Sequence, residues 1–320
     1  MLNFKMMPSV FRKNVSLAEH TTFKIGGKAK YFFVAKTKNS LIKALRAAKE
    51  YGLPFFVLGG GSNVLVSDKL YNGLVIKIKN QKPFGRLRPS ALRLRLEEVV
   101  SKAEPLKIIN RGIYVEAGAS LAQIVKLASE KGLAGLEWAS GIPGTIGGAI
   151  KGNAGAFGGS IADAVNEVEA YDSASGQIKM LTKNECRFNY KDSIFKRDKN
   201  LVILSAVFTL KAGDKNEIGQ KMKEYIDYRK ARHPLNLPSA GCIFENPPGY
   251  RAAELIENCG LKGKTIGGAQ ISEKHANFIV NVGRAKAADV SRLIALIKKK
   301  VKEKYGIKLE EEIQRLNFGV

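Results

Sequence analysis

The chain has 320 residues, 45% of them hydrophobic, which is enough to bury more than one hydrophobic core. Lysine and arginine outnumber aspartate and glutamate by 53 to 29, and the net charge of +24 favours anionic partners, from phosphorylated metabolites to nucleic acid. Three cysteines without a Cys-x-x-Cys spacing argue against disulfides and a metal site, and no apolar run suits a membrane span or a signal peptide, so we expect a cytoplasmic protein.

The first eighty residues are predicted to alternate short strands with one helix. Apolar runs place the strands at 31–34, 54–58, 64–66 and 73–78. A helix is predicted at 41–48, where Asn39 or Ser40 would cap its start and Gly52 would end it.

The predicted strand at 54–58 runs directly into a glycine-rich turn, Gly59-Gly60-Gly61-Ser62-Asn63. Glycines keep side chains out of the way and allow a positive φ, so backbone N–H groups can converge on a bulky anion, most often a phosphate. We therefore predict an anion-binding nest at this turn.

Residues 79–107 are basic, contain three prolines and show no clear periodicity, so we interpret them as an insertion. Strand character resumes at 113–116. A helix is predicted after it, with Ser120 as its cap and Gly132 just beyond its end.

A second glycine-rich stretch holds eight glycines between Gly141 and Gly159. One such stretch alone is a weak signal, and a compact turn system at a domain seam is the plain alternative. Two stretches together predict one long ligand that contacts both. The chain contains no Gly-x-Gly-x-x-Gly and no complete P-loop, which excludes the Rossmann and P-loop interpretations.

The second half of the chain mixes strands and helices. Strands are predicted at 165–171, 178–181 and 201–210, of which the first two would form a hairpin around 172–176. A polar break at 212–216 precedes a helix at 218–226, and we place a domain boundary near Asp214. Further helices are predicted at 252–259 and 290–305, and further strands near 266, at 278–282 and from 307.

A set of motifs in a fixed order resembles the UDP-N-acetylenolpyruvoylglucosamine reductase family. The motifs extend through nearly the whole chain and lie at 22–27, 59–63, 141–149, 153–155, 190–196, 238–244, 274–281 and 309–312. The resemblance implies an α+β fold, with a two-lobed FAD-binding domain of the vanillyl-alcohol-oxidase (PCMH) type followed by an α+β substrate-binding domain. The spacing of Lys274-His275-Ala276-Asn277 is similar to that of the branch that lacks an additional tyrosine-bearing loop.

The resemblance also implies the domain boundaries. Residues 1–20 would form an N-terminal segment and 214–320 the substrate-binding domain. The FAD-binding region would cover 21–213, with lobes at about 21–80 and 108–213 on either side of the insertion.

The family's reaction supplies the function that the resemblance implies. With non-covalently bound FAD and with NADPH as co-substrate, the protein would saturate the enolpyruvyl double bond of UDP-N-acetylglucosamine enolpyruvate. The product, UDP-N-acetylmuramate, would serve peptidoglycan synthesis, and with it cell shape and cell division. Two nests suit a diphosphate-bearing flavin, and a basic surface suits a carboxylated UDP-sugar and NADPH.

Three catalytic positions are implied by the family motifs: Cys242 as proton donor, Glu312, and Lys191. Lys191 departs from the family, which carries arginine here and can grip a carboxylate with a planar fork. Glu245 is a second departure, since the family usually has lysine at that position. Without the motif, Glu310 and Glu312 would be interpreted as a solvated strand face, because residues i and i+2 share one side of a strand.

Ligand contacts are implied in the same way. FAD would contact Gly59, Gly60, Gly61, Ser62, Asn63, Ile142, Pro143, Gly144, Thr145, Gly147, Gly148, Asn153, Ala154 and Gly155. The UDP-sugar would contact Tyr190, Arg229, Arg232, Asn246 and Lys262, although each is equally explicable as a surface charge or a turn residue. His233 and His275 are expected to be structural or to hydrogen-bond an edge of the substrate.

Two alternatives stay open on the sequence. One is another flavin oxidoreductase of the same FAD-binding architecture that acts on a different alcohol or amine. The other is a catalytically weak flavin carrier or a basic nucleic-acid-binding protein, which the net charge and the two departures encourage. The positive charges are spread along the chain rather than gathered with aromatics, so we expect no specific nucleic-acid partner. We also expect no membrane partner and a monomeric protein.

Overall fold

The computed structural model describes residues 10–79 and 112–319, so the predicted insertion lies outside the described residues except for Lys79. The strands are β1 Arg12–Ser16, β2 Lys28–Ala35, β3 Phe55–Leu58, β4 Val64–Val66, β5 Tyr71–Ile78, β6 Gly112–Glu116, β7 Leu133–Ala134, β8 Gly155–Ala156, β9 Gly159–Ser160, β10 Val165–Asp172, β11 Gln177–Thr182, β12 Leu201–Thr209, β13 Lys211–Ala212, β14 Ser239–Cys242, β15 Thr265–Ile266, β16 Ala269–Ile271, β17 Phe278–Asn281 and β18 Gln314–Leu316. The helices are α1 Lys38–Glu50, α2 Leu121–Glu130, α3 Ile146–Lys151, α4 Ile161–Ala164, α5 Ile194–Arg197, α6 Lys215–Arg232, α7 Ala252–Asn258 and α8 Ala287–Tyr305, with single 3-10 turns at Ala18–His20 and Glu137–Ala139.

The described residues form two compact units, each made of separate chain segments. Unit 1 takes the described parts of 1–34, 47–77 and 227–320, and unit 2 takes those of 35–46 and 78–226. The domain boundary predicted near Asp214 stays a prediction.

Unit 1 contains two main sheets. The first has the strand order β1-β2-β5-β3, with β1 antiparallel to β2 and β3 parallel to β5. The second is antiparallel in the order β14-β17-β16-β15, and the apolar residues of α7 and α8 pack against it, among them Leu255, Val290 and Ile294. A short parallel pair, β4 with β18, joins the residues after β3 to the end of the described chain.

Unit 2 is built on the antiparallel sheet β11-β10-β12-β6. Its core lies between this sheet and the helices α2 and α3, where Val115, Ile124, Ile150, Val168 and Phe208 are buried. The hairpin predicted around 172–176 is confirmed as β10 and β11, paired from Asp172 with Gln177 onwards.

Most predicted elements are present, with three corrections in detail. Helix α1 starts at Lys38, so neither Asn39 nor Ser40 caps it: Thr37 Oγ1 accepts the N–H of Ser40 at 3.1 Å, and Ser40 Oγ accepts the N–H of Thr37 at 3.0 Å. The strand predicted from Ile307 is wrong, because the last strand is β18. Strand β14 was not predicted. None of the helices in the described residues is long and apolar enough to cross a membrane.

Candidate functional site

The first glycine-rich turn, residues 59–63, lies in unit 1 between β3 and β4. One carbonyl group of the turn is held in place, because the N–H of Thr22 donates to Gly61 O at 3.0 Å. Gly61 has φ +71°, and a Cβ there would collide with the carbonyl oxygen of His20. The N–H groups of Gly59, Gly60 and Gly61 make no hydrogen bond with any other residue that the structure describes. The turn therefore offers three backbone donors to a ligand.

Asn63 connects this turn to the segment that carries Glu312. Its Nδ2 donates to Glu312 O at 3.1 Å, and its own carbonyl oxygen accepts the N–H of Gln314 at 3.1 Å. The Oδ1 of Asn63 is buried and has no partner within 10–79 and 112–319. A buried acceptor of this kind needs a donor from outside the described protein, such as water or a ligand.

Cys242 and Glu312 lie on neighbouring backbone segments. The N–H of Glu312 donates to Ile243 O at 2.9 Å, and the N–H of Glu245 donates to Glu310 O at 3.0 Å, which is an antiparallel arrangement. Gly241 has φ +79° with open space around it, as expected of a residue that turns the chain just before Cys242. Unit 1 thus brings together two of the three predicted catalytic residues.

A cationic and aromatic cluster surrounds the end of α6 in the same unit. Burial lowers the pKa of the largely buried Arg229, and the neighbouring Cys242 acts in the opposite direction. His233 packs edge-on against His275 at 5.3 Å between ring centroids. Burial lowers the pKa of His275, with Lys262 and Arg232 among the charges that lower it further.

Several predicted substrate residues also have structural partners. The guanidinium of Arg232 lies 5.3 Å from the ring centroid of Tyr228. Lys262 forms an ion pair with Glu257 at 2.6 Å. Asn246 Oδ1 accepts the N–H of Ala252 at 3.0 Å, at the first turn of α7. These contacts orient the side chains.

The second glycine-rich stretch lies in unit 2, and most of its N–H groups donate to acceptors within that unit. Gly147 donates to Ala117 O at 2.8 Å, Ile146 donates to Ala119 O at 2.9 Å, and Thr145 Oγ1 accepts the N–H of Gly148 at 3.4 Å as the cap of α3. A Cβ at Gly147 would come within 3.0 Å of the Ala117 side chain. Glycine is therefore required here for close packing rather than for a row of free N–H groups.

Asn153 ties this stretch to the turn that carries Lys191. It is buried with φ +40°; its Nδ2 donates to Asn189 O at 2.8 Å and its Oδ1 accepts the N–H of Ala162 at 3.0 Å. Both ends of the amide are thus used within unit 2. The backbone N–H of Ala154 is also taken, by Ala149 O at 2.8 Å.

The predicted residues Tyr190 and Lys191 occupy the tip of a tight turn. Asn189 and Asp192 close it with reciprocal backbone hydrogen bonds of 3.0 and 3.1 Å. Lys191 has φ +53°, and Lys196 Nζ donates to its carbonyl oxygen at 2.9 Å. The backbone of Lys191 is therefore firmly held, and Tyr190 is 54% exposed beside it.

Sequence reasoning missed one charged cluster beside the predicted catalytic residues. Glu311 forms ion pairs with Lys298 at 2.5 Å and with Arg315 at 2.6 Å. Its partners lie 13 and 4 positions away, on α8 and β18, and nothing in the local pattern signals their convergence.

Comparisons with known proteins identify relatives over the whole chain. The model of a family described as "UDP-N-acetylenolpyruvoylglucosamine reductase, C-terminal domain" matches residues 233–316, and that of an "FAD binding domain" matches 29–182. A UDP-N-acetylenolpyruvoylglucosamine reductase of Caldicellulosiruptor bescii is 45% identical, covering 95% of this chain and 90% of the relative; that of Geobacillus kaustophilus is 38% identical, with 93% and 90% covered. The crystal structure of the Thermus caldophilus reductase superposes with a TM-score of 0.75 at 34% identity, covering 96% of this chain and 99% of that one.

Proposed function

The chain belongs to the UDP-N-acetylenolpyruvoylglucosamine reductase family, and from this premise we propose how its own residues carry out the family's reaction. It is an FAD-dependent oxidoreductase that reduces UDP-N-acetylglucosamine enolpyruvate with NADPH in peptidoglycan precursor synthesis. The resemblance read from the sequence, its α+β FAD-binding fold and its cofactor are thereby confirmed. The family matches favour this reaction over the two alternatives, another flavin oxidoreductase or a nucleic-acid-binding protein.

The residues of the first glycine-rich turn fit the cofactor. Three N–H groups at Gly59, Gly60 and Gly61 suit a diphosphate, and the unpartnered Oδ1 of Asn63 suits a donor on the ligand. When bound, FAD accepts hydride from NADPH and delivers it to the enolpyruvyl double bond.

The second glycine-rich stretch supplies mainly a close-packed wall in this proposal. Its glycines would let the cofactor approach the backbone, while hydrogen bonds from its own N–H groups fix the conformation of the stretch. The predicted contacts there are Ile142, Pro143, Gly144, Thr145, Gly147, Gly148, Asn153, Ala154 and Gly155, of which Asn153 acts through the residues it holds.

Cys242 is the proton donor in the proposed chemistry. Addition of hydride to the terminal carbon leaves negative charge on the neighbouring carbon and the carboxylate, and that carbon then takes a proton. A free thiol has a pKa near ~8.5 and can release its proton to an enolate more readily than a hydroxyl can. Lys191 would offset the developing negative charge, Glu312 would orient the reacting group, and Arg229 lies close enough to Cys242 to act on it electrostatically. The observation that carries this assignment is the antiparallel contact of Glu312 with Ile243, next to Cys242.

The substrate contacts and the setting of the protein are proposed from the same residues. Arg229, Arg232 and Lys262 would face the diphosphate of the UDP-sugar, and Tyr190 and Asn246 would complete its contacts. We further propose a cytoplasmic monomer with the domain division near Asp214, acting on a substrate and a co-substrate that are both anionic, as the net charge favours.

Cys242→Ala tests the proton donor. We expect NADPH to reduce the flavin of this variant at the wild-type rate, while reoxidation by the enolpyruvyl substrate slows by about 10²–10⁴-fold, the contribution of a positioned general acid. Cys242→Ser should retain part of the activity, because a hydroxyl can still donate. Stopped-flow mixing of each half-reaction separates the two steps.

Cys259→Ala is the matched control, because Cys259 is also a free, half-buried cysteine and should leave both half-reactions unchanged. Reoxidation of Cys242→Ala as fast as wild type would show that Cys242 is packing and that the donor lies elsewhere.

A further inference from the structure

We propose that Glu311 is a positioning residue for this reaction, because its ion pairs with Lys298 and Arg315 hold the segment that presents the neighbouring Glu312 beside Cys242. The proposal rests on the catalytic role proposed for Glu312. Glu311, Lys298 and Arg315 have no part in the proposed chemistry itself.

The Glu311 carboxylate is largely buried and contacts two cations, unlike that of an exposed surface ion pair. Lys298 Nζ lies 2.5 Å from Oε1, Arg315 Nε lies 2.6 Å from Oε2, and Arg315 Nη2 lies 3.2 Å from Oε1. The Glu311 side chain is only 17% exposed. Burial alone would raise its pKa, but the bonds from Arg315 and Lys298 hold the pKa below its usual value. A two-point grip by arginine also fixes the orientation of the carboxylate.

Hydrophobic neighbours set the register of the segment that holds the three consecutive glutamates 310–312. Leu309 and Ile313, on either side of them, are buried in the core of unit 1. Because successive side chains of an extended segment alternate, Glu311 lies on the same side as these two residues, and Glu310 and Glu312 lie on the other. Between the two hydrophobic anchors, a polar contact can hold the glutamates themselves in place.

Glu311 supplies that contact. It is bridged to Phe244 in an antiparallel pair, and its side chain is taken by Lys298 and Arg315. Since successive side chains alternate, Glu312 then faces away from those two cations. By contrast, Glu310 is 63% exposed and its ion-pair partner Lys308 is 82% exposed, so this pair contributes little to the placement of the segment.

The same ion pairs also remove an unwanted charge. Without these partners, the carboxylate of Glu311 would repel an anionic substrate. Lys298 and Arg315 neutralise it. Both effects disappear when the carboxylate of Glu311 is removed.

Glu311→Gln is the first test, with Glu310→Gln as the matched control one residue away. We expect reoxidation of the reduced flavin by the enolpyruvyl substrate to slow about 10–100-fold in Glu311→Gln, an effect on kcat more than on KM. Flavin reduction by NADPH should stay within about twofold of wild type in both variants. Glu310→Gln should match wild type in both half-reactions.

Lys298→Met tests the same ion pair from its other end and should slow reoxidation in the same selective way. If Glu312→Gln abolishes reoxidation while Glu311→Gln keeps the wild-type rate, the positioning proposal is overturned and the role of Glu312 stands. If Glu312→Gln itself keeps the wild-type rate, the proposed role of Glu312 fails, and the positioning proposal with it. Equal losses in both half-reactions of Glu311→Gln and Lys298→Met would show a merely structural role and would also overturn it.

Discussion

The two glycine-rich stretches look alike in the sequence and do different work in the structure. Residues 59–61 leave their N–H groups without a partner among the described residues, whereas Gly147 and Gly148 in the second stretch donate to Ala117 and Thr145. A high glycine content therefore indicates close approach of backbones in both places, but it does not by itself indicate free N–H donors.

Each stretch is also connected by an asparagine amide to a segment that carries a proposed catalytic residue. Asn63 donates to Glu312 O in unit 1, and Asn153 donates to Asn189 O, two residues before Lys191, in unit 2. The amide of Asn63 keeps one acceptor unpartnered within the described chain, while that of Asn153 is satisfied at both ends. We infer that the first asparagine serves the ligand and the fold, and the second serves the fold alone.

The largest expected effect comes from Gly61→Ala. The added Cβ would collide with the backbone of residues 20 and 21, and alanine at φ +71° is strained, so the turn must move. We expect a loss of about 2–4 kcal/mol of unfolding free energy and at least about a 100-fold loss of FAD affinity. Urea unfolding of the apoprotein and titration of its flavin binding measure the two effects.

Gly158→Ala is the control in the second stretch, since Gly158 also has a positive φ, +83°, but nothing lies within 4 Å of the position of its Cβ. It should cost about 1 kcal/mol and leave FAD affinity within about twofold. Equal losses of affinity in the two variants would break the distinction between the stretches.

Asn153→Ala should have an intermediate effect that sharpens the distinction. It removes one of the two donors to Asn189 O, leaves the N–H of Ala162 without its acceptor and places alanine at φ +40°, which together should cost about 2–3 kcal/mol of stability. Reoxidation by the enolpyruvyl substrate should slow about tenfold through the displaced Lys191, while FAD affinity changes little.

The same substitution at Asn63 is the comparison for that experiment. Asn63→Ala should lower FAD affinity by more than Asn153→Ala does. The reverse order, measured by flavin titration, would contradict the roles assigned to the two amides.

The smallest expected effect is a difference in acid sensitivity, because all three histidines of the chain lie in unit 1. Burial, with help from His275, Arg229 and Lys274, lowers the pKa of His233 from 6.5 to about 4. Between these values the unfolded chain binds more protons than the folded one, so stability present above pH 6.5 is lost as the pH falls toward 4. After allowance for solvent screening we expect about 1–2 kcal/mol from His233.

His233→Gln should remove that part of the pH dependence, which urea unfolding at pH 7 and at pH 4.5 would detect. An unchanged slope in this variant would assign the acid sensitivity to other groups.

Local patterns in the sequence predicted those elements whose stabilising contacts are also local. The hairpin of β10 and β11 and the helix capped by Ser120 follow from residues that are neighbours in the chain. The cap of α1 was missed by two residues, because Thr37 and Ser40 form reciprocal bonds and only one of them precedes the helix.

The parts that could not be predicted depend on contacts between distant segments. The sequence predicts a strand from Ile307 after α8, but the conformation of this segment depends on Ile243, Lys298 and Asn63, which lie far apart in the chain. The second glycine stretch is predicted to be a nest, but Ile146 and Gly147 donate to Ala119 and Ala117, just after β6. Such competition for N–H groups leaves no trace in composition or periodicity.

The pairing of β4 with β18 has a consequence for how the protein is made. Asn63 and Glu312 are 249 positions apart, so the ribosome releases the first glycine-rich turn long before the segment that contacts it. All segments of unit 2 have been translated by residue 226, and they can fold while β4 still waits for its neighbour. A flavin that binds the completed turn would therefore be acquired late in the maturation of the nascent chain.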